Sequence, residues 1–454
     1  MSTEITNADL IVVGAGPGGY EIAAAQAGAG QRVVLVEKDL PGGTCLNRGC
    51  IPTKCLCASA DAIRTVGGAA AFGVDVAGFT ADFGRAAARM QEVVASLRDD
   101  VSRAVAGCEC VTGTASFNAA GNVVVTAPDG TVQEFSAPRI IIATGSKPAV
   151  LPVPGAELAE TSDEFLQRTS LPASCVVIGG GVIGLEFASV MAAFGTQVTV
   201  VEFCKEVLPP FDADVAKRLR SLMSRQGVSF VMGAAVTAIS RDGDSLTVTY
   251  KGKKGPATVT AEAVLMAVGR RPVLPDGLDL AGIEVTPKGF IVTDDNMATT
   301  RPGVFAVGDC NGRMMLAHAA SAQARAAVGM DVDLSVIPSA VFTHPEAAMA
   351  GLTAEAAEAA APEGVEIGTA KALFAGNGKA RAMGATDGLV KVVYQKPSGR
   401  IVGIHIVGPE AANLIAEAVP VIAAGMTLSD VAHRLVHAHP TLSEVLVAAC
   451  AAAR

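Results

Sequence analysis

The chain has 454 residues, of which half are apolar, and its formal net charge is −9. This length suggests about three domains, and no uncharged apolar run reaches the roughly 18 residues of a membrane span. The 35 Lys and Arg residues are spread along the chain, which argues against a nucleic-acid-binding surface. Residues 1–9 lack the features of a signal peptide. We therefore expect a cytoplasmic protein whose ten Cys residues do not form a disulfide scaffold.

The first predicted unit is a strand, a Gly-rich turn, a helix and a second strand over residues 10–37. Its sequence LIVVGAGPGGYEIAAAQAGAGQRVVLVE places Gly14, Gly16 and Gly19 ahead of Glu37. In such a unit the first Gly permits a tight turn, the second lets a pyrophosphate approach the helix N-terminus, and the third allows close helix–sheet packing. The acid about 20 residues later reaches a ribose hydroxyl. One such motif could still be only a tight turn.

A second copy of the same pattern begins 165 residues later, over residues 175–202. Here Gly179, Gly181 and Gly184 precede Glu202. Because the strand, the helix and the terminal acid all recur, we expect the chain to bind two dinucleotides. Glu202 would accept a hydrogen bond from a ribose 2′-hydroxyl and repel a 2′-phosphate, which favours NAD over NADP.

A cysteine pair directly follows the first unit, in the sequence GGTCLNRGCIPTK. Cys45 and Cys50 could close a small, reducible ring near the start of a helix, where a thiol pKa is lowered. Two buried cysteines on one apolar helix are an alternative that the spacing alone leaves open. No second Cys or His pair lies nearby at ligand spacing, so we predict no zinc or other metal site.

The later elements complete a third region. A surface helix is predicted over 83–106, and strands over 122–126, 140–143, 264–268 and 304–307. From about Pro338 a separate α+β domain is expected, with a hairpin of strands 389–395 and 401–407 followed by two helical stretches.

The sequence HAHPTLSE near the C-terminus contains a second candidate catalytic group. A carboxylate such as Glu444, five residues after His439, can hold an imidazole in one tautomer, so that it acts as an acid or base near neutral pH. A purely structural histidine is the alternative. The residues alone do not show that this segment meets Cys45.

Taken together, GGTCLNRGCIPTK, the two dinucleotide units, RPGVFAVGD and HAHPTLSE resemble the FAD-dependent disulfide reductase family over essentially the whole chain. Within that family they are most similar to the members that oxidise dihydrolipoamide with NAD+. The resemblance implies an α/β fold with two Rossmann-like dinucleotide-binding domains and a C-terminal α+β dimerisation domain. The expected divisions are an FAD domain with the redox disulfide (1–149), an NAD domain (150–272), a segment returning to the FAD domain (273–337) and the dimerisation domain (338–454).

The resemblance also implies roles for individual residues. Cys45 corresponds to the thiol that exchanges with substrate, and Cys50 to the thiol next to the flavin. His439 corresponds to a base contributed across the dimer interface, which Glu444 orients. Lys54 matches the lysine beside flavin N5, and Glu186 matches its carboxylate partner.

One tightly bound FAD per subunit and NAD+/NADH are the implied cofactors, and the implied partners are a second copy of the chain and a lipoylated acyltransferase or glycine-cleavage carrier protein. Neither nucleic acid nor a membrane is an expected partner. The expected cofactor contacts come from the Gly-rich turns, the two ribose acids and the segments that match the family's flavin and nicotinamide sites: Gly14, Gly16, Gly19, Glu37, Lys38, Gly43, Thr44, Lys54, Ala115, Ala143, Thr144, Gly145, Gly179, Gly181, Val182, Ile183, Gly184, Glu186, Glu202, Gly269, Asp309, Met315, Leu316, Ala317 and His318.

Rival functions differ at identifiable residues. A glutathione-type reductase would prefer NADPH, against Glu202, and a mercuric reductase would carry a C-terminal cysteine pair where this chain has Cys450 alone. A non-catalytic flavin-binding scaffold would need neither the thiols nor the His–Glu pair. Arg48, between the two thiols, is unusual for the family; it could lower a thiol pKa or face solvent. Cys55 and Cys57 are interpreted as small core residues.

Overall fold

The computed structural model describes residues 5–453. Two compact units can be distinguished from contacts within the chain. The first unit contains the chain up to residue 55 together with residues 85–149 and 270–334. The second contains residues 56–84, residues 150–269 and the chain from residue 335 onward. Neither unit is continuous in sequence.

A five-stranded parallel sheet forms the centre of the first unit. The apolar run Leu10–Val13 is its middle strand and is wholly buried, as expected where helices cover both faces of a parallel sheet. The strands in spatial order are Val304–Ala306, Arg139–Ile142, Leu10–Val13, Val33–Glu37 and Glu109–Thr112. Helices Pro17–Gly28, Gly43–Arg48 and Ala317–Ala327 lie in this unit. The division between the units falls within helix Cys50–Gly67, after residue 55, and near the start of helix Phe83–Ala104, after residue 84.

Two smaller sheets complete the first unit. A pair of antiparallel strands joins the chain leaving the unit to the chain returning to it, Ser146–Pro148 with Arg270–Pro272. The other sheet has four strands, in the order Ile5–Asn7, Val132–Ser136, Val123–Thr126 and Thr114–Phe117.

The second unit repeats the parallel sheet. Its strands, in spatial order, are Glu160–Thr161, Ala263–Met266, Ser174–Ile178, Gln197–Glu202 and Ser229–Met232. Helices Ser162–Phe165, Val182–Ala193 and Ala213–Arg225 accompany them, beside an antiparallel meander of Ala235–Asp242, Ser245–Gly252 and Gly255–Ala261.

The C-terminal region adds an antiparallel sheet to the second unit. In spatial order its strands are Ser339–Val341, Glu346–Gly351, Ile401–Gly408, Leu389–Lys396 and Glu366–Leu373. The predicted hairpin is present, with each strand one residue longer than expected. The α/β fold with two Rossmann-like units and a C-terminal α+β domain is therefore confirmed.

The helices that follow this hairpin differ from the prediction of two stretches. Gly425 takes φ +64 and separates two of them, and Thr427 then forms a capping box with Asp430 that starts the next helix. The two expected stretches are thus divided into Ala411–Leu414, Ala418–Ala423, Leu428–His433 and Glu444–Ala451. Helix Ala354–Ala360 follows strand Glu346–Gly351, and a short helix, Gly378–Ala382, precedes the hairpin.

The remaining predicted elements lie close to their expected positions. The predicted surface helix ends at Ala104, two residues early, and buries Phe83, Ala87, Met90 and Val94 on one face.

Across the described residues, none of the helices combines the length and apolarity needed to cross a bilayer.

A buried ionic cluster lies between the C-terminal sheet and helix Ala213–Arg225 of the second unit. Lys371, Lys391 and His405 occupy adjacent positions in one row across three strands. Lys391 is 5% exposed, and its Nζ lies 2.8 Å from Asp212 Oδ2 and 2.7 Å from Asp214 Oδ2. Asp212 is the N-cap of the helix, so its carboxylate also meets the positive end of the helix dipole.

We expect Lys391→Met to lower the free energy of unfolding by about 3–5 kcal/mol, because it leaves the 3%-exposed Asp212 carboxylate without its cation. The matched control is Lys371→Met, one strand away, where a side chain 43% exposed contributes about 1 kcal/mol or less. Urea unfolding at pH 7 measures both. Equal urea midpoints for Lys391→Met and the wild type would contradict the prediction.

The contribution of this cluster to the stability of the fold should depend on pH. The hydrogen bond from Lys371, together with that from Lys391, lowers the pKa of Asp214 to about 2. A depressed carboxyl pKa stabilises the fold fully above the unfolded value near 4 and loses that contribution as the pH falls towards 2. The Lys371→Met deficit should therefore shrink across this interval.

Candidate active site

The two Gly-rich turns have the same geometry. Gly14 and Gly179 take φ +104 and +109, and a Cβ on either would lie within 2.4 Å of a backbone carbonyl oxygen, that of Ala143 or of Ala267. Only glycine fits both the backbone conformation and the contact. These turns therefore allow a second loop to pack directly against each of them.

The other glycines of each motif divide into two kinds. A Cβ at Gly19 or Gly184 would lie 1.8 or 2.1 Å from the carbonyl oxygen of the motif's own first glycine, so helix and turn are in contact there. A Cβ at Gly181 would meet nothing within 4 Å, and one at Gly16 would meet nothing closer than 3.9 Å. The open side of each turn is thus at its middle glycine, where a pyrophosphate would approach, and the residues present fit a dinucleotide.

Glu37 and Glu202, the two acids predicted to bind ribose, accept hydrogen bonds from equivalent backbone amides. Glu37 accepts hydrogen bonds from the N–H groups of Ala15 at 2.7 Å and Asp39 at 2.9 Å. Glu202 accepts from Gly180 and from Cys204, the latter at 2.6 Å. Each carboxylate is therefore fixed against the Gly-rich turn, and burial raises the pKa of Glu37. A carboxylate accepts about four hydrogen bonds, so positions remain for ribose hydroxyls.

The candidate redox thiols lie on two helices, where the sequence suggested one. Cys45 is inside helix Gly43–Arg48, and Cys50 is the first residue of helix Cys50–Gly67. Gly49 separates them, and a Cβ there would lie 3.0 Å from the carbonyl oxygen of Thr44. The break therefore lets the second helix begin beside the first, with both cysteines half-buried and present as thiols.

The two thiols interact directly. A hydrogen bond with Cys50, reinforced by burial, raises the pKa of Cys45, while the nearby Lys54 opposes the shift. The contact with Cys50 and burial therefore both favour the protonated form of Cys45. Two sulfur atoms in hydrogen-bond contact, one of them protonated, are an arrangement from which thiol–disulfide exchange can proceed.

Asn47 and Arg48 hold the loop before the thiols. Asn47 Nδ2 donates to the carbonyl oxygens of Gly43 at 2.9 Å and Pro41 at 3.0 Å, and its Oδ1 accepts from Arg98 Nε at 2.8 Å. Arg48 forms an ion pair with Asp39. Sequence reasoning missed Asn47 and Arg98. The Arg48 side chain is 36% exposed and pairs with an exposed carboxylate, which agrees with the alternative that Arg48 faces solvent.

Asp309 lies in a single helical turn, Gly308–Asn311, that follows strand Val304–Ala306. Gln323, 2% exposed, holds this turn because its Oε1 accepts from the Gly308 N–H at 2.8 Å and from Asn311 Nδ2 at 2.9 Å. Met315 and Leu316 lead from it into helix Ala317–Ala327, which contains His318. Ala143, Thr144 and Gly145 follow the neighbouring strand Arg139–Ile142. The structure thus brings these predicted residues to one edge of the first sheet.

The remaining first-unit candidates lie in or beside strands. Lys38 directly follows strand Val33–Glu37, and Ala115 is in strand Thr114–Phe117. In the second unit, Val182 and Ile183 begin helix Val182–Ala193, and Gly269 follows strand Ala263–Met266.

Glu186 is buried in the same helix at 3% exposure, and its Oε1 accepts from the Phe342 N–H at 2.9 Å. The Cys57 thiol donates to the carbonyl oxygen of the same Phe342 at 3.2 Å. Cys55 and Cys57 are both buried, which confirms their interpretation as core residues; Phe342 was not anticipated.

The His–Glu pair near the C-terminus is formed within the second unit. His439 Nδ1 lies 2.9 Å from Glu444 Oε1, and Glu444 Oε2 accepts from the Thr441 N–H at 2.8 Å. The hydrogen bond from His439 lowers the pKa of Glu444. Because Nδ1–H donates to this carboxylate, Nε2 keeps a lone pair, on a side chain that is 80% exposed. His437 differs, since it is 12% exposed and paired with Glu417 at 2.6 Å.

The described residues contain no candidate metal-binding site. Among residues 5–453, His, Cys, Asp and Glu side chains nowhere form a group of three or more that could hold an ion.

Two protein-family models match this chain, and together they span nearly all of the residues described above. Residues 8–324 match the family model described as pyridine nucleotide-disulphide oxidoreductase, and residues 337–450 match the dimerisation domain of the same family. The chain belongs to this family. The first match contains both Gly-rich units and the thiols, and the second, which contains His439 and Glu444, supports a homodimer.

Individual relatives agree with this assignment. The oxidoreductase is 38% identical over 452 residues to dihydrolipoyl dehydrogenase of Chlorobaculum tepidum, covering 96% of this chain and 95% of the relative. It is 38% identical to that of Geobacillus stearothermophilus, covering 97% and 95%. Two solved structures are similar: the HOCl-induced flavoprotein disulfide reductase RclA of Escherichia coli (TM-score 0.85, 28% identity) and LpdA of Mycobacterium tuberculosis (0.87, 27%), each covering 98% of this chain and 99% of its own.

The family uses FAD and NAD(H), and the chain is accordingly an NAD-dependent flavoprotein disulfide oxidoreductase. The resemblance stated from the sequence is confirmed.

In the reduced oxidoreductase we expect Cys50→Ser to lower the pKa of Cys45, because it removes the sulfur that raises it. Iodoacetamide should then alkylate Cys45 about tenfold faster at pH 8, since the thiolate is the reacting form. Peptide mass spectrometry gives the rate at Cys45, and Cys110→Ser, at an exposed cysteine, is the control. Equal Cys45 rates in the two variants would rule out the effect.

Proposed function

We propose that this oxidoreductase is a dihydrolipoamide dehydrogenase, which oxidises protein-bound dihydrolipoamide to lipoamide with NAD+ as the final acceptor. The observation that carries the proposal is the pair of interacting thiols Cys45 and Cys50, in a chain that also has an exposed histidine held by a carboxylate. Relatives bearing that activity in their names share 35–39% identity over nearly the full chain.

The chemistry begins with a Cys45–Cys50 disulfide. A substrate thiolate attacks the Cys45 sulfur and breaks that bond, forming a mixed disulfide and leaving Cys50 as a thiolate. The second substrate thiol then displaces Cys45, so the substrate leaves as a cyclic disulfide and both electrons remain on the cysteine pair. FAD, when bound, carries these two electrons to NAD+.

His439 is proposed as the base that takes the substrate's thiol proton at Nε2, with Glu444 as the residue that orients it. The support is the geometry of Nδ1, whose bond to a carboxylate fixes the tautomer and stabilises the imidazolium that forms. We propose that His439 of one subunit serves the thiols of the other, as in the family that the chain resembles.

The resemblance to the family is also the basis for the proposed cofactor-binding residues. The first unit binds FAD through its Gly-rich turn, Glu37 and the segment around Asp309, and Lys54 and Glu186 act near the flavin N5. The second unit binds NAD+ through Glu202, whose carboxylate disfavours a 2′-phosphate. The remaining contacts proposed are those predicted from the sequence.

The expected domain division and partners are likewise proposed. Residues 1–149 and 273–337 would form the FAD domain, 150–272 the NAD domain and 338–454 the dimerisation domain. A lipoylated acyltransferase or glycine-cleavage carrier would deliver the substrate in the cytoplasm.

The proposal predicts a higher kcat/KM for dihydrolipoamide with NAD+ than for glutathione disulfide with NADPH. NADH formation and NADPH consumption at 340 nm measure the two reactions. The Cys45→Ser variant, which lacks the exchanging sulfur, should keep its flavin and lose dihydrolipoamide oxidation. Faster reduction of glutathione disulfide by the wild type would overturn the assignment in favour of a glutathione-type reductase.

We expect His439→Gln to lower kcat for dihydrolipoamide oxidation by about 10²- to 10⁴-fold, the range for loss of a general base. His433→Gln, at an exposed histidine six residues earlier, is the matched control and should retain wild-type turnover. The residual rate of His439→Gln should rise with pH, because hydroxide can then remove the thiol proton. A pH-independent loss would show that His439 has another role.

A further inference from the structure

Arg270 is a half-buried cation that none of the proposed roles uses. It is the first residue of the chain segment that returns to the first unit, and its side chain is 13% exposed. The returning strand Arg270–Pro272 pairs with the departing strand Ser146–Pro148. Its next residue, Arg271, is exposed, so two adjacent arginines have different environments.

The Arg270 guanidinium binds Ser146 at two points. Its Nε donates to the Ser146 hydroxyl oxygen at 2.7 Å, and its Nη2 donates to the Ser146 carbonyl oxygen at 2.8 Å. A guanidinium only donates, so the hydroxyl hydrogen of Ser146 is left for another acceptor. That acceptor is Asp309 Oδ2, to which Ser146 donates a short hydrogen bond.

Arg270 Nε itself lies 4.0 Å from Asp309 Oδ2, beyond hydrogen-bond distance. The guanidinium thus attracts the carboxylate as an ion pair and holds it by hydrogen bonds only through the serine hydroxyl. Since Ser146 is 7% exposed and Arg270 13%, this relay is largely shielded from water, where charge-assisted hydrogen bonds are stronger. Among the described residues, Asp309 Oδ1 has no hydrogen bond, and the Asp309 side chain keeps 23% exposure. One oxygen is held and the other is available.

The surrounding segments make this a rigid arrangement. The Val273 N–H donates to the Gly145 carbonyl oxygen at 3.0 Å, and Thr144 Oγ1 donates to the Val273 carbonyl oxygen at 2.5 Å. The returning segment is therefore bound to the loop that carries Thr144 and Gly145.

We propose that Arg270 is a positioning residue for FAD: through Ser146 it fixes the Asp309 carboxylate in the orientation in which Oδ1 accepts a hydroxyl hydrogen bond from the flavin ribityl chain. This inference rests on the proposed FAD site and adds to it a residue outside the nucleotide-binding motifs. FAD retention by the first unit then depends on the segment that returns at residue 270.

The test measures the dissociation constant of FAD from deflavinated protein by flavin fluorescence. We expect Arg270→Gln and Ser146→Ala each to weaken binding about tenfold, which corresponds to about 1.4 kcal/mol. Arg270→Lys should lie between wild type and Arg270→Gln, because an ammonium keeps the charge and loses the two-point contact. Arg271→Gln is the matched control and should bind as the wild type does.

Two further measurements separate positioning from general stabilisation. The double variant Ser146→Ala/Arg270→Gln should lose no more FAD affinity than the weaker-binding single variant, because both substitutions break the same relay. Ser146→Thr, which keeps a hydroxyl, should restore most of the affinity lost in Ser146→Ala. Thermal unfolding of the apoproteins shows how far each variant changes the fold without FAD.

The inference is overturned if the FAD dissociation constants of Arg270→Gln and Arg271→Gln agree within twofold. It is equally overturned if the double variant loses as much binding free energy as the two single variants together. It is also overturned if Ser146→Thr behaves as Ser146→Ala. Failure of the proposed FAD site itself gives a different result, because wild-type protein would then be isolated without flavin and would bind none.

Discussion

Both nucleotide-binding units depend on a backbone-to-backbone contact that only glycine allows. At Gly14 the turn touches the carbonyl group of Ala143, and at Gly179 it touches that of Ala267. These contacts place the loops that follow two parallel strands side by side at the carboxyl edge of each sheet, which is where ligands of such sheets bind. A side chain at either glycine would clash with the facing carbonyl group and force the two loops apart.

Each of the main buried or half-buried charges in this protein is oriented by a few backbone or side-chain groups. Glu37 and Glu202 are each fixed by two amides, Lys391 by two carboxylates, and Asp309 by a serine that an arginine holds in turn. A buried charge without such partners is strongly destabilising. The same contacts that make these charges tolerable also orient them, so stability and ligand geometry depend on the same hydrogen bonds.

Local patterns were sufficient to predict the strands and the two nucleotide units. Leu10–Val13 and Ser174–Ile178 are short apolar runs beside Gly-rich turns, and both the run and the turn are visible in a few residues. The contacts of Asn47 with Arg98 and of Ser146 with Asp309 join residues 51 and 163 positions apart. No local pattern signals them, because they depend on which chain segments the completed sheets bring together.

The helix break at Gly49 was only partly predictable from the sequence. Glycine is visible in the sequence, yet whether it ends a helix or lies within one depends on the close approach of its backbone to Thr44. The division of the C-terminal helices likewise required the left-handed conformation of Gly425. Element type was therefore more predictable than element boundaries, since boundaries are set by packing.

The proposed mechanism needs a base, and the histidines of the C-terminal region differ in exposure and in the group that contacts each imidazole. In the proposed exchange a substrate thiolate attacks the Cys45 sulfur, so the substrate thiol must first lose its proton. His405 is wholly buried, and its Nε2 contacts the Leu352 carbonyl oxygen. His437 is largely buried with its Nε2 against Glu417. His439 instead has its Nδ1 held by Glu444 and its side chain exposed. It therefore combines an Nδ1 held by a carboxylate with an exposed side chain, which is the arrangement that the proposed base requires.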